Sequence, residues 1–410
     1  MISREKAGMI HPVKYFRFLL PVVVAIILVG CHKDEEVKLA PAVLVNFTKT
    51  QQYAVGELRS FLGLSGFNVS TSSLQYNVSL YTVTYNTTFK GQKVIGSGLV
   101  ALPNTSNAVG MISFQHGTIA AHAEAPSVQS ATSLDVILYS TLASPGFIAV
   151  VPDFLGLGSS ASMLHPYYVK DATSTAVMDL LKASKELATL KAVDFNGKLF
   201  LAGYSEGGYA TMATHRAIEK NGLDGFTLVA SFPASGGYDV KGMQEYFFGL
   251  TTYGDPFYLA YVAMAYQNYY EWGEPLSKFF QQPYAANIPG LFDGSKNGGE
   301  INALLTDTIA RLVNTDLLQN IDSDNQYQYI VTAFTENSLL DWKPTIKMFM
   351  YHGDADTTVP FQNSVDTYNQ LIANGASADI LTLTLFPGKT HATGVNPYIE
   401  DIIPKILSMN

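Results

Sequence analysis

The sequence predicts an α/β architecture, a mostly parallel central sheet with helices on both faces, and three observations predict it. Short continuous apolar runs recur at residues 109–114, 147–151, 198–202, 228–232, 346–351 and 380–386, each separated from the next by a helical or looped stretch. A strand buried on both faces has no polar side with which to alternate, so it reads as unbroken apolar sequence, and the stretches between serve as crossovers. Second, the segment Gly203-Tyr204-Ser205-Glu206-Gly207 joins the strand-like run 199–202 to a helix-like stretch at 208–213. Third, the gap between the runs ending at 232 and starting at 346 exceeds about 100 residues, where an ordinary connection has roughly 4–6. It must hold an inserted structure.

The chain begins with a segment that belongs to no core. Arg4, Lys6, Lys14 and Arg17 precede an apolar run at 19–30 that ends in Leu28-Val29-Gly30-Cys31. The run is short of the roughly 20 apolar residues that span a bilayer, and reads as a signal peptide over residues 1–30. Cys31 is the only cysteine, so no intramolecular disulfide can form. The Leu-Val-Gly-Cys ending resembles the bacterial lipobox. That resemblance implies lipidation of Cys31 as the first mature residue, and therefore a membrane as a partner through an N-terminal lipid anchor. The alternative is an uncleaved anchor helix with an incidental cysteine. Lys33-Asp34-Glu35-Glu36 resembles the acidic export tag of Bacteroidetes surface lipoproteins. Residues 31–45 read as a tether. Either reading puts the remainder outside the cytoplasm, and the resemblance of the acidic run implies the outer membrane or cell surface.

Beyond the tether, 47% hydrophobic and 14% charged residues allow a large packed core. A net charge of -9, with no Lys/Arg cluster after the leader, lacks the electrostatic footprint that a phosphate backbone demands. Nucleic acid is excluded as a partner. Alternation rich in Tyr, Val and Thr over 74–102, broken near Lys90-Gly91, predicts antiparallel strands. Residues 171–188 place Ala172, Ala176, Val177, Leu180, Leu181, Ser184 and Leu187 on one broad helical face. The insertion, bounded at 240–340, contains helical stretches at 241–248, 256–271, 301–318 and 326–337 and a dense set of aromatics. Most of these aromatics should pack the insertion's own small core; some suit a roof over a substrate's acyl part. The core proper is expected at 46–239 and 341–410.

Ser205 is the candidate nucleophile, because a hydroxyl on a tight strand-to-helix turn is exposed and flanking glycines keep other side chains away. It needs a base. Beyond the helix that follows it the chain offers His352, at the end of an apolar strand, and His391, on the Gly-containing loop after the last strand candidate. A loop can bring an imidazole to the serine, so His391 is the candidate. A carboxylate must accept the other ring proton, and His352-Gly353-Asp354-Ala355-Asp356-Thr357-Thr358-Val359-Pro360 offers Asp354 and Asp356.

Here the sequence resembles the α/β-hydrolases. In their acid loop, H-G-x-x-D-x-x-V-P, the Asp three residues before Val-Pro completes the triad, which implies Asp356 and leaves Asp354 as a turn residue. Ser113-Phe114-Gln115-His116-Gly117-Thr118 resembles the oxyanion loop of that family. The resemblance implies that the backbone N–H groups of Glu206 and Thr118 face the oxyanion, with His116 structural. The run 150–159 resembles the loop after the fourth core strand, where Asp153 is structural. The G-Y-S-x-G-G elbow and the long insertion resemble the secretory lipase group, over roughly 74 to the C-terminus, although a single Gly precedes Thr118 where another esterase branch has H-G-G-G. The resemblance implies hydrolysis of a small-molecule or lipid ester. No zinc, dinucleotide or phosphate-loop motif occurs, and no metal or cofactor is expected. Alternatives are a serine peptidase on the same fold and a non-catalytic surface binding lipoprotein.

Overall fold

The structure is a computed structural model that describes residues 43–410. The signal peptide, Cys31 and the tether up to residue 42 lie outside the described residues. Among the described residues no helix is long and apolar enough to cross a membrane.

Among the described residues nine strands form one sheet: β1 (Leu44–Tyr53), β2 (Val78–Phe89), β3 (Gln92–Pro103), β4 (Val109–Gln115), β5 (Phe147–Pro152), β6 (Phe195–Tyr204), β7 (Thr227–Ala234), β8 (Lys347–Gly353) and β9 (Leu381–Phe386). Their order is β1-β2-β3-β5-β4-β6-β7-β8-β9. Pairing is antiparallel from β1 through β3 to β5 and parallel from β5 onward. This is the mostly parallel α/β architecture that the alternation of strands and helices predicted. The β2–β3 hairpin turns on Lys90 and Gly91, with φ of 51° and 76° and Phe89 opposite Gln92. Positive φ at both central residues matches the right-handed twist of the flanking strands, and explains why the alternation breaks there.

The apolar runs of β4 through β8 are continuous because both sheet faces are covered there, whereas β9, at the sheet edge, is largely half-exposed. Along β6, Leu199 and Leu201 join Val177, Leu180 and Ala210 of the helices Lys170–Leu190 and Glu206–Asn221. Phe200 and Ala202 point the other way, onto Leu58, Val136 and Tyr398 of the helices Val55–Leu64, Leu134–Thr141 and Val395–Met409. Strand β1 and the helices at 55–64, 134–141, 361–373 and 395–409 were not anticipated. β1 sits at the sheet edge with mostly exposed or half-exposed side chains, so hydrophobic periodicity leaves little trace of it.

The connection from β7 to β8 is helical, with its longest helices at Val240–Phe248, Phe257–Tyr270 and Gln328–Asn337. The helix expected over 301–318 is a correction: the chain forms three short pieces, Gly298–Asn302, Ile309–Leu312 and Thr315–Asn320. The backbone near Val313 pairs instead with Phe280, and the Asn314 side chain accepts from the amides of Asp316 and Leu317 to start a new turn. That side-chain acceptor competes with helix continuation. Phe247, Tyr253, Phe279, Phe280, Leu312 and Ile330 form this connection's own core.

The strand registers position the functional loops. Gln115 is paired with Gly203, Tyr204 with Ala234, Ala234 with Tyr351, and Gly353 with Phe386. The C-terminal ends of β4, β6, β7, β8 and β9 therefore lie in one row. The chain passes from β4 to β5 on one side and returns to β6 on the other, which opens a crevice at the strand ends where the order reverses.

Candidate active site

Ser205 occupies that crevice, between β6 and the helix Glu206–Asn221, with φ 61° and ψ -124°. Positive φ is sterically costly for a non-glycine residue and persists only where surrounding structure enforces it. Here the enforcement is visible. The Ser205 amide donates to Ala234 O at 2.9 Å, locking the turn to β7. A Cβ on Gly207 would lie 1.9 Å from Gln115 O, and one on Gly208 would lie 2.1 Å from Ala234 O. The elbow is thus pressed against the ends of β4 and β7, and only glycine fits at those two positions.

The structure brings the three expected side chains together. His391 Nε2 lies 2.9 Å from Ser205 Oγ, and His391 Nδ1 lies 2.6 Å from Asp356 Oδ2. A carboxylate only accepts, so Nδ1 carries the hydrogen and the Nε2 lone pair faces the serine hydroxyl. The His391 loop docks on the acid loop: Ala355 N donates to Lys389 O at 3.1 Å, and Gly388 N donates to Asp354 Oδ1 at 2.6 Å. Tyr204 OH donates to His391 O at 2.8 Å and pins the loop from the elbow side. Asp354 thus bonds a backbone amide, as a turn residue should.

Asp356 is buried, with four donors on its carboxylate. The amides of Thr358 and Val359 each donate to Oδ1 at 2.9 Å, while Oδ2 accepts from His391 and from His352 Nε2 at 3.1 Å. Burial by itself would raise the carboxyl pKa, but the imidazole donors and their charge outweigh it and bring the value down to about 2.

The loop after β4 passes beside Ser205, where a Cβ on Gly117 would lie 3.6 Å from Ser205 Cβ. Thr118 Oγ1 is bonded to Tyr167 OH at 2.9 Å. Glu206 opens the helix after Ser205, so its amide has no intrahelical partner. Asp153 and His116 are buried and make no hydrogen bond to Ser205, His391 or Asp356. Asp153 accepts from Ser97 Oγ at 2.5 Å and from Ser127 N at 2.8 Å, and burial raises its pKa.

Two groups escaped the sequence reading. The Glu206 side chain meets His165 Nε2 at 2.6 Å, and His165 Nδ1 meets Leu155 O at 2.6 Å, all buried beside Ser205. No periodicity or spacing links residues 165 and 206. Thr358 also ties the acid loop to the helical connection, its hydroxyl donating to Asp255 Oδ2 at 2.8 Å and its carbonyl accepting from Tyr253 OH at 2.9 Å.

An apolar cavity of about 110 Å³ opens on Ser205, walled by Val240, Phe247, Tyr258, Val262, Trp272, Phe279 and Ile330 among others. Aromatics of the helical connection therefore serve both its own core and the wall of the cavity.

Because Asp356 is held ionised by native-state donors, its carboxylate stabilises the fold above the unfolded carboxyl pKa of about 4, and that contribution disappears as pH falls through about 2. Native protein should therefore have a higher urea midpoint than Asp356→Asn at pH 7, with the difference closing between about pH 4 and 2. A difference that is constant with pH would count against it.

A model of the secretory lipase family matches residues 121–220, which include the elbow. Over 90% of this chain and 98% of the other, the structure resembles a protein of Legionella pneumophila assigned as a hydrolase, at 26% identity and a TM-score of 0.80. The rice cell wall degrading esterase LipA of Xanthomonas oryzae shares the fold at 24% identity and a TM-score of 0.77, over 90% of this chain and 97% of that one. Candida antarctica lipase A in its closed state shares it at 16% identity and a TM-score of 0.62, over 87% and 79%. No curated protein matches the sequence. With the elbow inside the matched segment and the strand order in place, the chain has the α/β-hydrolase fold and resembles the secretory lipases.

Proposed function

We propose that the chain cleaves carboxylic esters through an acyl-enzyme on Ser205, with His391 as general base and acid and Asp356 as its orienting carboxylate. The continuous hydrogen-bonded series from Ser205 Oγ through His391 to Asp356, at the mouth of an apolar cavity, carries this reading. Ser205 Oγ attacks the ester carbonyl as its proton moves to His391 Nε2, and the carbonyl π-electrons move onto oxygen. The Glu206 and Thr118 amides face that oxyanion. On collapse the C–O bond to the alcohol breaks, and His391 returns the proton to the departing oxygen. Water then repeats the sequence against the acyl-enzyme and releases the acid.

Replacing Ser205 by Ala should remove at least about 10³-fold of kcat toward p-nitrophenyl esters and abolish stoichiometric labelling by a fluorophosphonate. Native-rate hydrolysis by Ser205→Ala would end the proposal.

The apolar cavity is the acyl site, and the helical connection at 240–340 acts as its cap. An aliphatic or aromatic acyl group would replace water along walls such as Val262 and Ala263. Ala263→Phe should reduce kcat/KM for the octanoate ester by about 10-fold or more relative to the acetate. An unchanged ratio would place the acyl chain elsewhere.

Residues 1–31 support export and lipid anchoring at Cys31. Native protein should incorporate labelled palmitate and pellet with membranes, and Cys31→Ser should do neither; equal labelling of both would refute the anchor.

A further inference from the structure

His352 closes β8, is fully buried, and has no part in the reaction outlined above. Its Nε2 lies 3.1 Å from Asp356 Oδ2 and 2.9 Å from Val359 O, and its Nδ1 lies 2.6 Å from Ser364 Oγ. Both neighbours of Nε2 are acceptors only, so Nε2 carries a hydrogen whatever the charge of the ring. That hydrogen is directed at the same carboxylate oxygen that accepts from His391. Ser364, fully buried on the helix Phe361–Ala373, can donate its hydroxyl to Nδ1 of the neutral ring and so hold the tautomer.

We propose that His352, backed by Ser364, is a positioning residue for hydrolysis: it fixes Asp356 Oδ2 toward His391 and limits how strongly that oxygen holds the His391 proton. This inference rests on the Ser205, His391 and Asp356 assignment. Two N–H donors on one carboxylate oxygen share its electron density, so each bond is weaker than it would be alone. Without the His352 donor, Oδ2 becomes a stronger acceptor and stabilises the imidazolium of His391. The acid limb of the rate profile then moves to higher pH.

Asp255 of the helical connection faces the acid loop through Thr358 and is unchanged in every variant compared below. Tyr168, Tyr204, Tyr253 and Tyr258 sense the Asp356 charge, but burial pushes all four phenols above their ordinary value, so they stay neutral in this range. Asp354 and Lys389, the charged side chains on the acid and histidine loops, are exposed to solvent. A purely space-filling role for His352 would be met by an aromatic ring with no donor.

The experiment uses the purified full chain and compares pH–rate profiles on a p-nitrophenyl ester for His352→Phe, His352→Gln and Ser364→Ala. His352→Phe should lower kcat roughly 10-fold or more with KM unchanged. It should also raise the midpoint of the acid limb by about half a pH unit or more. His352→Gln, whose amide N–H can take the place of Nε2–H, should recover most of both effects, and Ser364→Ala should move the limb the same way by less. Native kcat and limb in His352→Phe would overturn the proposal. So would slow turnover with an unmoved limb that Gln does not rescue. If His352→Phe fails to fold by circular dichroism, an unmoved limb in Ser364→Ala overturns it. Ser205→Ala in parallel separates the two levels: activity surviving there sinks the underlying assignment, whereas an inactive Ser205→Ala beside an indifferent position 352 sinks only this inference.

Discussion

A carboxylate at the end of a buried strand is the constraint around which this site is arranged. Ionised and out of water, Asp356 would be severely destabilising unless its lone pairs were matched by donors. Two backbone amides of its own loop and two imidazoles supply them. Each donor dictates local structure in return. The amides of Thr358 and Val359 can converge on one oxygen only if the chain turns sharply after residue 356, which is the conformation that Pro360 then terminates ahead of the helix Phe361–Ala373. The His391 donor requires the loop after β9 to fold back over the loop after β8. A Cβ on Gly353 would lie 2.2 Å from Lys389 O, so that contact is as close as backbones allow.

The same turn couples the chemistry to the cavity. Thr358 donates its amide to Asp356 while its hydroxyl and carbonyl bind Asp255 and Tyr253 of the helical connection. The segment that orients His391 is therefore also the one on which the aromatic wall is seated. Asp255 is held from its other side by Asn302, whose side-chain oxygen also accepts from Phe257 N at 2.9 Å. The Ser205–His391–Asp356 geometry and the cavity shape share one set of polar anchors, so a change in the connection's packing reaches the carboxylate through two residues.

Much of this was legible in the sequence, for identifiable reasons. Buried parallel strands announce themselves by unbroken apolar runs, so β4 through β8 were readable, and the half-exposed edge strand β9 was marked by its leucines, whereas β1, exposed along most of its length, was not. Ser205 and its glycines were readable because the turn admits so few residue types. Asp356 was separable from Asp354 only through the H-G-x-x-D-x-x-V-P pattern; by burial the two differ completely, one enclosed and one exposed. The segment at 301–318 misled because its apolar spacing suits a helix while Asn314 offers the backbone a different partner. His352 was in plain view within the motif, yet its role depends on a ring orientation that no spacing encodes. His165 carried no signal at all, since its partner is 41 residues away.

That last pair answers an electrostatic difficulty next to Ser205. Glu206 follows Ser205 directly and is buried, so a bare carboxylate there would oppose negative charge developing on a substrate oxygen nearby. His165 removes the problem by proton count. Its Nδ1 faces the carbonyl of Leu155, an acceptor only, and must carry a hydrogen. The 2.6 Å contact between Nε2 and Glu206 Oε1 requires a second hydrogen between them, whichever atom holds it. Imidazolium with carboxylate, or imidazole with carboxylic acid, the pair is neutral overall. In the proposed reaction, the Asp356 charge behind His391 favours moving the serine proton toward it, and the neutral His165–Glu206 pair adds no charge that would oppose an oxyanion.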